Sequence, residues 1–317
     1  MKVIKGKVKK PIAMILYGVH GIGKSTFATE CENPIFIGSE ENDELDADRY
    51  PKIKTWAELL EQLEWVKKSD YKTVVIDTMD ELETIAQKEI LKTQGDKTMG
   101  NAHGGYGKGY EIMEKMFLVV RDTLASLRDD KGMNIVILCH HEKNKHEDPI
   151  TLTSYDNYST ALHKKIKPLF EDWVSIIAFA NDKLMKTETA DGKETILGDG
   201  DKVMYFQSRP SHVVKNRFDL PEEIEFNKHG TWRIIKEHVD EFFKKKPVIK
   251  EGDLVKKNDD GEIEKVVTLD HDLISEIKEI ISKIKNEDIK PKIEVSLSRA
   301  KSNDELKRIL EKAKSLI

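Results

Sequence analysis

The chain has 317 residues, of which 38% are hydrophobic and 35% are charged, and its formal net charge is −5 at pH 7. This length suffices for one large α/β domain and a smaller unit, and the negative charge excludes a uniformly basic nucleic-acid-binding surface but not a local basic groove. No apolar stretch approaches the length of a membrane span and no signal-peptide core follows the basic residues 2–10, so we expect a cytoplasmic protein without membrane contact.

The first predicted strand, residues 11–17, leads into the segment Gly18-Val19-His20-Gly21-Ile22-Gly23-Lys24-Ser25, which fits G-x-x-x-x-G-K-[ST] with no mismatch. A helix is predicted to open with Thr26. In this strand–loop–helix context the glycines let backbone N–H groups surround a phosphate, and the start of the helix adds a favourable dipole. Lys24 is expected to reach the β- and γ-phosphates of ATP, and the Ser25 hydroxyl to help hold Mg²⁺. We therefore expect residues 18–26 to bind ATP and Mg²⁺.

Strands and helices alternate through the first 180 residues. Strands are predicted at 34–38, 71–77, 134–140 and 173–180, and helices at 55–68, 82–90 and 113–127. The helix at 55–68 opens with a capping box formed by Thr55 and Glu58. This alternation predicts an α/β fold with a mostly parallel sheet covered by helices.

The pattern changes in the last third of the chain. Residues 183–208 predict an antiparallel pair turning near Asp191-Gly192, and residues 231–235 a short strand followed by a helix to about 246. Residues 247–268 are charged and turn-rich, which indicates a linker or a small exposed hairpin. Beyond them, apolar stripes predict two helices. We therefore divide the chain into a core at 1–246, a linker or hairpin at 247–268, and a helical region at 269–317 that is a candidate for binding a protein partner.

Three polar positions at predicted strand ends are candidates for ATP hydrolysis. Asp77 ends the strand at 71–77 and is expected to hold Mg²⁺ with Ser25. Glu40 follows the strand at 34–38 and is a candidate general base, with Glu41 as its rival; the alternative is a solvated acidic loop. His140 ends the strand at 134–140, where it can contact the γ-phosphate or serve only as a structural histidine.

Two predicted loops have the composition of a nucleic-acid contact. Residues 93–110 combine glycines with tyrosine, histidine and lysine, and residues 143–167 are rich in lysine and tyrosine. Mobile backbone, stacking rings and cations suit single-stranded DNA, although either segment could equally be a plain surface loop. Farther along, Lys215 and Arg217 are expected to point to the same side and to suit insertion onto a neighbouring subunit's γ-phosphate.

The order of these features resembles the RecA/RadA-type recombination ATPases, most closely the short core-only recombinase or single-strand annealing versions carried by phages, among them AAA-type nucleotide-binding proteins. Four segments carry the resemblance across roughly residues 10–240: the phosphate loop, Phe36-Ile37-Gly38-Ser39-Glu40, Leu138-Cys139-His140-His141-Glu142-Lys143, and Lys215-Asn216-Arg217-Phe218. The last is similar to the K-N-R-F signature of RadA, whose following glycine is replaced here by Asp219.

The resemblance implies a RecA-like core, Glu40 as the catalytic base, His140 as the γ-phosphate sensor, and two DNA-binding loops at the positions chosen above from composition. It also implies a ring or filament of identical subunits with ATP between them, in a bacterial host infected by or carrying a phage. The function expected is a Mg²⁺-dependent, DNA-stimulated ATPase that promotes annealing or strand exchange. The alternative is a replication-associated ring ATPase, such as a helicase or loader, built on the same core.

Overall fold

The structure of the protein is a computed structural model that describes residues 7–41, 43–94, 97–147, 154–188, 194–226, 229–244, 255–257, 263–265, 271–283, 293, 296–297 and 303–314. The chain divides into two compact units, residues 1–244 and residues 245–317. Among the described residues no helix is both long and apolar enough to cross a membrane.

One large sheet forms the centre of the first unit. Its described strands are β1 (Ala13–Gly18), β2 (Pro34–Gly38), β3 (Asp48–Arg49), β4 (Thr73–Asp77), β5 (Asn134–Glu147), β6 (Ser154–Thr160), β7 (Ile176–Glu188), β8 (Glu194–Tyr205), β9 (Lys215–Asn216) and β10 (Glu223–Glu225). Their order is β10-β8-β7-β1-β5-β4-β2-β3, with β6 paired to β5 and β9 to β7. The central pairs are parallel, whereas β6, β8, β9 and β10 pair antiparallel. The predicted α/β fold with a mostly parallel central sheet and an antiparallel extension is confirmed.

Helices connect and cover these strands. They are α1 (Lys24–Thr29), α2 (Trp56–Lys68), α3 (Met79–Gln94), α4 (Lys108–Asp129), α5 (Lys167–Glu171) and α6 (Thr231–Lys244), with a short 3₁₀ turn at Ala102–Gly104. The predicted capping box of α2 is present, because Thr55 accepts from the Glu58 N–H and the Glu58 carboxylate accepts from the Thr55 N–H.

The strand β1 separates two hydrophobic cores. Its odd-numbered side chains Ala13, Ile15 and Tyr17 lie in the cluster that contains α2, α3 and α4. Its even-numbered side chains Met14 and Leu16 lie in the cluster that contains α1 and α6. Successive side chains of a strand point to opposite faces, so a continuous apolar run is required where both faces are covered. This double burial fixes β1, and with it the loop that follows, in the middle of the sheet.

One strand prediction and one loop prediction need correction near the site. The fourth predicted strand does not end at His140 but continues as β5 to Glu147, and it pairs with β6 from His141 to Glu147. Residues 143–167 are therefore not an irregular loop: their described part is a β-hairpin arm followed by the start of α5. The polar sequence of the arm hides the alternation, because neither of its faces is buried in the core.

The short strand predicted at residues 231–235 is wrong, because this segment is the first turn of α6. Thr231, Trp232, Ile235 and Val239 are buried along one helical face. The Glu30 carboxylate accepts hydrogen bonds from the N–H groups of Gly230 and Trp232. This cap comes from Glu30, the C-cap residue of α1, which is distant in sequence, so local sequence cannot reveal it.

The second unit contains β11 (Val255–Lys257) paired antiparallel with β12 (Ile263–Lys265), and the helices α7 (His271–Lys283) and α8 (Asn303–Lys314). In the described part of residues 247–268, β11 and β12 are paired, and the division of the chain at 247–268 stays a prediction. Ile277, Ile281, Leu306 and Leu310 form a small core shared by α7 and α8. The turn expected near Asp191-Gly192 lies outside the described residues, although β7 and β8 pair on either side of it.

Candidate nucleotide site

The glycine loop lies at the carboxyl end of β1. Gly21 and Gly23 have φ values of +72° and +111°, a region that side chains with a Cβ rarely adopt. Gly18 is required for a different reason, since a Cβ at this position would lie 2.2 Å from the carbonyl oxygen of Ala180 on β7. The loop therefore needs its glycines both for its own turn and for close packing against the neighbouring strand.

Lys24, the first residue of α1, lies folded across this loop. Its Nζ donates to the carbonyl oxygens of Gly18 at 3.3 Å and Val19 at 3.2 Å. Burial lowers the pKa of Lys24, and the nearby carboxylates of Glu40 and Asp77 oppose that change. A buried ammonium that holds only backbone carbonyls is well suited to exchange them for phosphate oxygens.

The remaining loop residues differ in their surroundings. Val19 is half-buried, His20 is exposed and Ile22 is buried in the core, so Ile22 offers a ligand only its backbone. The Thr26 carbonyl accepts a hydrogen bond from Thr29 within α1. We find α1 starting at Lys24, earlier than the predicted opening at Thr26.

Ser25 and Asp77 meet across the strand ends. The Ser25 hydroxyl donates to Asp77 Oδ2 at 2.7 Å, although the two residues belong to α1 and β4. A hydroxyl and a carboxylate are hard oxygen donors of the kind Mg²⁺ prefers, usually with substrate phosphates and waters completing the shell. In the part of the chain that the structure describes, no cluster of three or more His, Cys, Asp or Glu side chains forms an alternative metal centre. The residues present therefore fit a nucleotide-bound Mg²⁺.

His140 lies between the loop and the acidic residues. It sits opposite Gly18 in the β1–β5 register, where β5 leaves the parallel sheet. Its Nδ1 contacts Asp80 Oδ2 at 2.6 Å, its backbone N–H donates to Asp80 Oδ1 at 2.9 Å, and its Nε2 lies 3.5 Å from Glu40 Oε1. Its ring stacks on His20 with 4.2 Å between the centroids. The structure thus brings His140, Glu40 and the loop together.

The contact between His140 and Asp80 changes the pKa of both residues. The hydrogen bond that the His140 ring donates to the Asp80 carboxylate raises the pKa of His140 against the opposing effect of burial. Burial would raise the pKa of Asp80, but its hydrogen bonds with His140 outweigh that effect and lower it. The charge of His140 is in turn the main cause of the lowered pKa of His20. Of the two stacked histidines, His140 is therefore the one whose protonated form its surroundings favour.

Glu40 and Glu41 point into different surroundings. Glu40 Oε1 accepts from the Thr78 hydroxyl at 3.3 Å and lies beside His140. Glu41 is mostly exposed and pairs with Lys52 at 3.2 Å. Of the two acids left open by the sequence, Glu40 is the one directed toward the loop and Asp77.

Asp80 was missed by sequence reasoning. It lies in the first turn of α3, three residues after Asp77, where an acid is ordinarily explained by the helix dipole. Its position relative to His140 depends on the packing of α3 against β5. The only sequence signal is an acid in the first turn of the helix that follows the Asp77 strand. Lys202 of β8, which contacts the loop, was also missed.

Lys215 and Arg217 lie away from the loop of their own chain. Lys215 pairs with Ile177, near the amino end of β7, whereas Gly18 pairs with Ala180 at the carboxyl end of the parallel run. Lys215 Nζ donates to the carbonyls of Glu171 and Asp172, and Arg217 also donates to Asp172. The two cations lie on the same side, as expected, and both hold the end of α5. Arg217 is the exposed one of the two.

The segments expected to bind DNA have contrasting surfaces. In the described part of 93–110, Tyr106 is 99% exposed with a φ of +56°, and the exposed Lys108 is close by in sequence. On the hairpin arm Lys143 pairs with Asp156, and Glu142 of the arm pairs with Lys167 of α5. These ion pairs reduce the positive potential that composition indicated for the arm.

Comparison with known protein families matches residues 10–218 to the family described as AAA domain (AAA_24). The matched range is more than half of the chain and includes the glycine loop, Glu40, Asp77, His140 and the segment through Arg217. A search of curated proteins found no match.

Proposed function

Because the chain belongs to the AAA domain family and its α/β core is that of a P-loop NTPase, we propose that it is a Mg²⁺-dependent ATPase that binds single-stranded DNA and promotes annealing or strand exchange. The observation that carries the ATPase proposal is the convergence of Lys24, Ser25–Asp77 and Glu40–His140 at one edge of the sheet. These groups come from α1, β4, β5 and the loop that follows β2.

The proposed reaction assigns each group a step. Loop N–H groups and Lys24 bind the phosphates. Ser25 and Asp77 would hold Mg²⁺, which supplies charge neutralisation of the phosphate oxygens when bound. A Glu40 carboxylate oxygen takes a proton from water as the water oxygen attacks the γ-phosphorus, and the bond from that phosphorus to the β–γ bridging oxygen breaks.

His140 is proposed to connect the γ-phosphate to the base. Asp80 fixes the ring orientation and favours the imidazolium, because it bonds Nδ1 and leaves Nε2 facing Glu40. An imidazolium beside Glu40 attracts its carboxylate and so holds the base in position next to the loop. His140 also stacks on His20, a residue of the glycine loop, so an imidazolium at this position lies next to the loop. His140 therefore both supports the base and offers positive charge to the transferred phosphoryl group.

The DNA part of the proposal is supported by Tyr106. A bulky residue with positive φ is uncommon, and such backbone outliers are concentrated at functional sites. A fully exposed ring on a glycine-rich turn, with Lys108 nearby, can stack on an unpaired base while the cation contacts phosphate. We expect Tyr106→Ala to weaken binding of a labelled oligo(dT) about tenfold, and Trp65→Ala, which removes an exposed aromatic from α2, to leave it unchanged.

The proposed action of Arg217 in a neighbouring subunit is supported by its distance along the sheet from its own loop. We expect Arg217→Ala to retain ATP binding and lose turnover, and mixing it with Lys24→Ala subunits to restore part of the activity. Absence of recovery at every mixing ratio would argue against a shared site. Translocation on partly duplex DNA, in place of annealing, would favour the alternative function, a replication-associated ring ATPase.

A further inference from the structure

A second lysine lies on the phosphate loop, and it comes from the antiparallel part of the sheet. Lys202 Nζ, on β8, donates to the carbonyl oxygens of Ile22 at 2.9 Å and Gly21 at 3.3 Å. Lys24 holds a different pair of carbonyls, those of Gly18 and Val19. The two lysines therefore hold different parts of the loop backbone.

The backbone of Lys202 is held firmly in place. It pairs with Asp182 on β7, and its carbonyl accepts from the Phe226 N–H at 2.8 Å. The Phe226 ring in turn packs against Phe27 of α1, with 5.9 Å between the centroids. Lys202 of β8 therefore makes a polar contact with the loop, and Phe226, just after β10, makes an apolar contact with α1.

The direction of the held carbonyls determines where the loop N–H groups point. In a planar trans peptide the C=O of one residue and the N–H of the next point in opposite directions. Because Lys202 draws the Gly21 and Ile22 carbonyls toward β8, the N–H groups of Ile22 and Gly23 point away from it. These are N–H groups of the loop that is expected to surround phosphate. The Ile22 N–H also makes a long hydrogen bond to the Val19 carbonyl, at 3.4 Å. Without the ammonium, the glycines at positions 21 and 23 allow these peptide planes more rotation.

We propose that Lys202 is a positioning residue that fixes the Ile22 and Gly23 N–H groups for the phosphates common to ADP and ATP. This inference rests on the nucleotide-binding function proposed above and extends it to a residue outside the loop motif. Loop N–H groups cradle the α- and β-phosphates, whereas hydrolysis takes place at the γ-phosphate. Loss of Lys202 should therefore weaken ADP and ATP binding alike and leave the chemical step nearly intact.

The test compares Lys202→Met with Lys202→Arg and with Lys183→Met, which removes an exposed lysine from the adjacent strand β7. Binding is measured by anisotropy of fluorescent ADP and of a fluorescent non-hydrolysable ATP analogue, and kcat and KM are measured for ATP. We expect Lys202→Met to bind both nucleotides about tenfold more weakly, with KM raised similarly and kcat within about twofold. Lys202→Arg should recover most of the affinity, and Lys183→Met should match the unmodified protein.

Three results would overturn the inference: unchanged nucleotide affinity in Lys202→Met, a fall in kcat with affinity retained, or no recovery in Lys202→Arg. If tryptophan fluorescence shows that Lys202→Met is unfolded, Lys202→Gln provides the same comparison with a neutral polar side chain. Failure of the unmodified protein to bind either nucleotide would contradict the proposed function itself, so the two failures are distinguishable.

Discussion

Glu83 is a buried carboxyl whose ionisation should oppose folding. It lies in α3, is 6% exposed, and accepts hydrogen bonds from the His163 N–H at 2.9 and 3.1 Å. Burial raises its pKa from 4.5 to about 7, and the negative charges of Asp80 and Glu142 add to the increase. Since each tenfold change in proton affinity is worth about 1.4 kcal/mol, the ionised form costs the folded state about 3 kcal/mol.

The sign of the pH dependence follows from this raised pKa. The unfolded chain releases the proton first, so stability that is complete below pH 4.5 is lost as the pH rises to about 7. Glu83→Gln keeps an acceptor for His163 and cannot ionise. We expect it to match the unmodified protein near pH 4 and to exceed its free energy of unfolding by about 3 kcal/mol at pH 7.5.

Urea unfolding followed by tryptophan fluorescence measures this difference, because all 4 tryptophans lie within residues 1–244. Glu81→Gln is the matched control, since Glu81 is exposed on the same helix. A stability difference between Glu83→Gln and the unmodified protein that stays constant from pH 4 to 8 would refute the reasoning.

Two further predictions concern the same unit. Asp80→Asn should lower the free energy of unfolding by about 2 kcal/mol between about pH 4 and 6.5. The difference should shrink below that window because the pKa of Asp80 is lowered, and above it because the pKa of His140 is raised. Urea unfolding across this pH range would detect the change. Gly38→Ala should unfold or displace the end of the Asp77 strand, because a Cβ would lie 1.7 Å from the Asp77 carbonyl oxygen. Gly100→Ala is the control: a Cβ there would have nothing within 4 Å, so calorimetry should show it melting like the unmodified protein.

Much of the fold follows from local sequence because its signals are local. The apolar runs at 13–18 and 34–38 form strands because both faces of the sheet are covered. The α2 capping box needs only Thr55 and Glu58. The glycine loop is likewise specified by its own residues, since positive φ values and close strand packing require glycine at fixed positions.

The remaining features depend on residues that are distant in sequence. The start of α6 is capped by Glu30, and the hairpin arm is defined by the pairing of β5 with β6. Asp80 acquires its role only through its contact with His140, and Lys202 only through the path of β8 past the loop. Composition indicates which residue types can act, but tertiary packing decides which of them meet.

The left-handed backbone at Asp219 illustrates a replacement that the fold accepts. The residue stands where the resembled signature has glycine, and it adopts a φ of +53°. The Asn216 side chain accepts from the N–H groups of Phe218 and Leu220 and so closes this turn. Asp tolerates this conformation better than most residues, which explains why the turn persists without glycine.

Turnover of Glu40→Gln compared with Glu41→Gln tests the central claim most directly, because these neighbouring acids differ mainly in whether they face the loop. With saturating ATP, Mg²⁺ and single-stranded DNA, we expect Glu40→Gln to bind ATP and hydrolyse it at least about a hundredfold more slowly, while Glu41→Gln stays within about twofold. Undiminished hydrolysis by Glu40→Gln, or an equal loss in Glu41→Gln, would contradict a site built from Lys24, Asp77, His140 and Glu40.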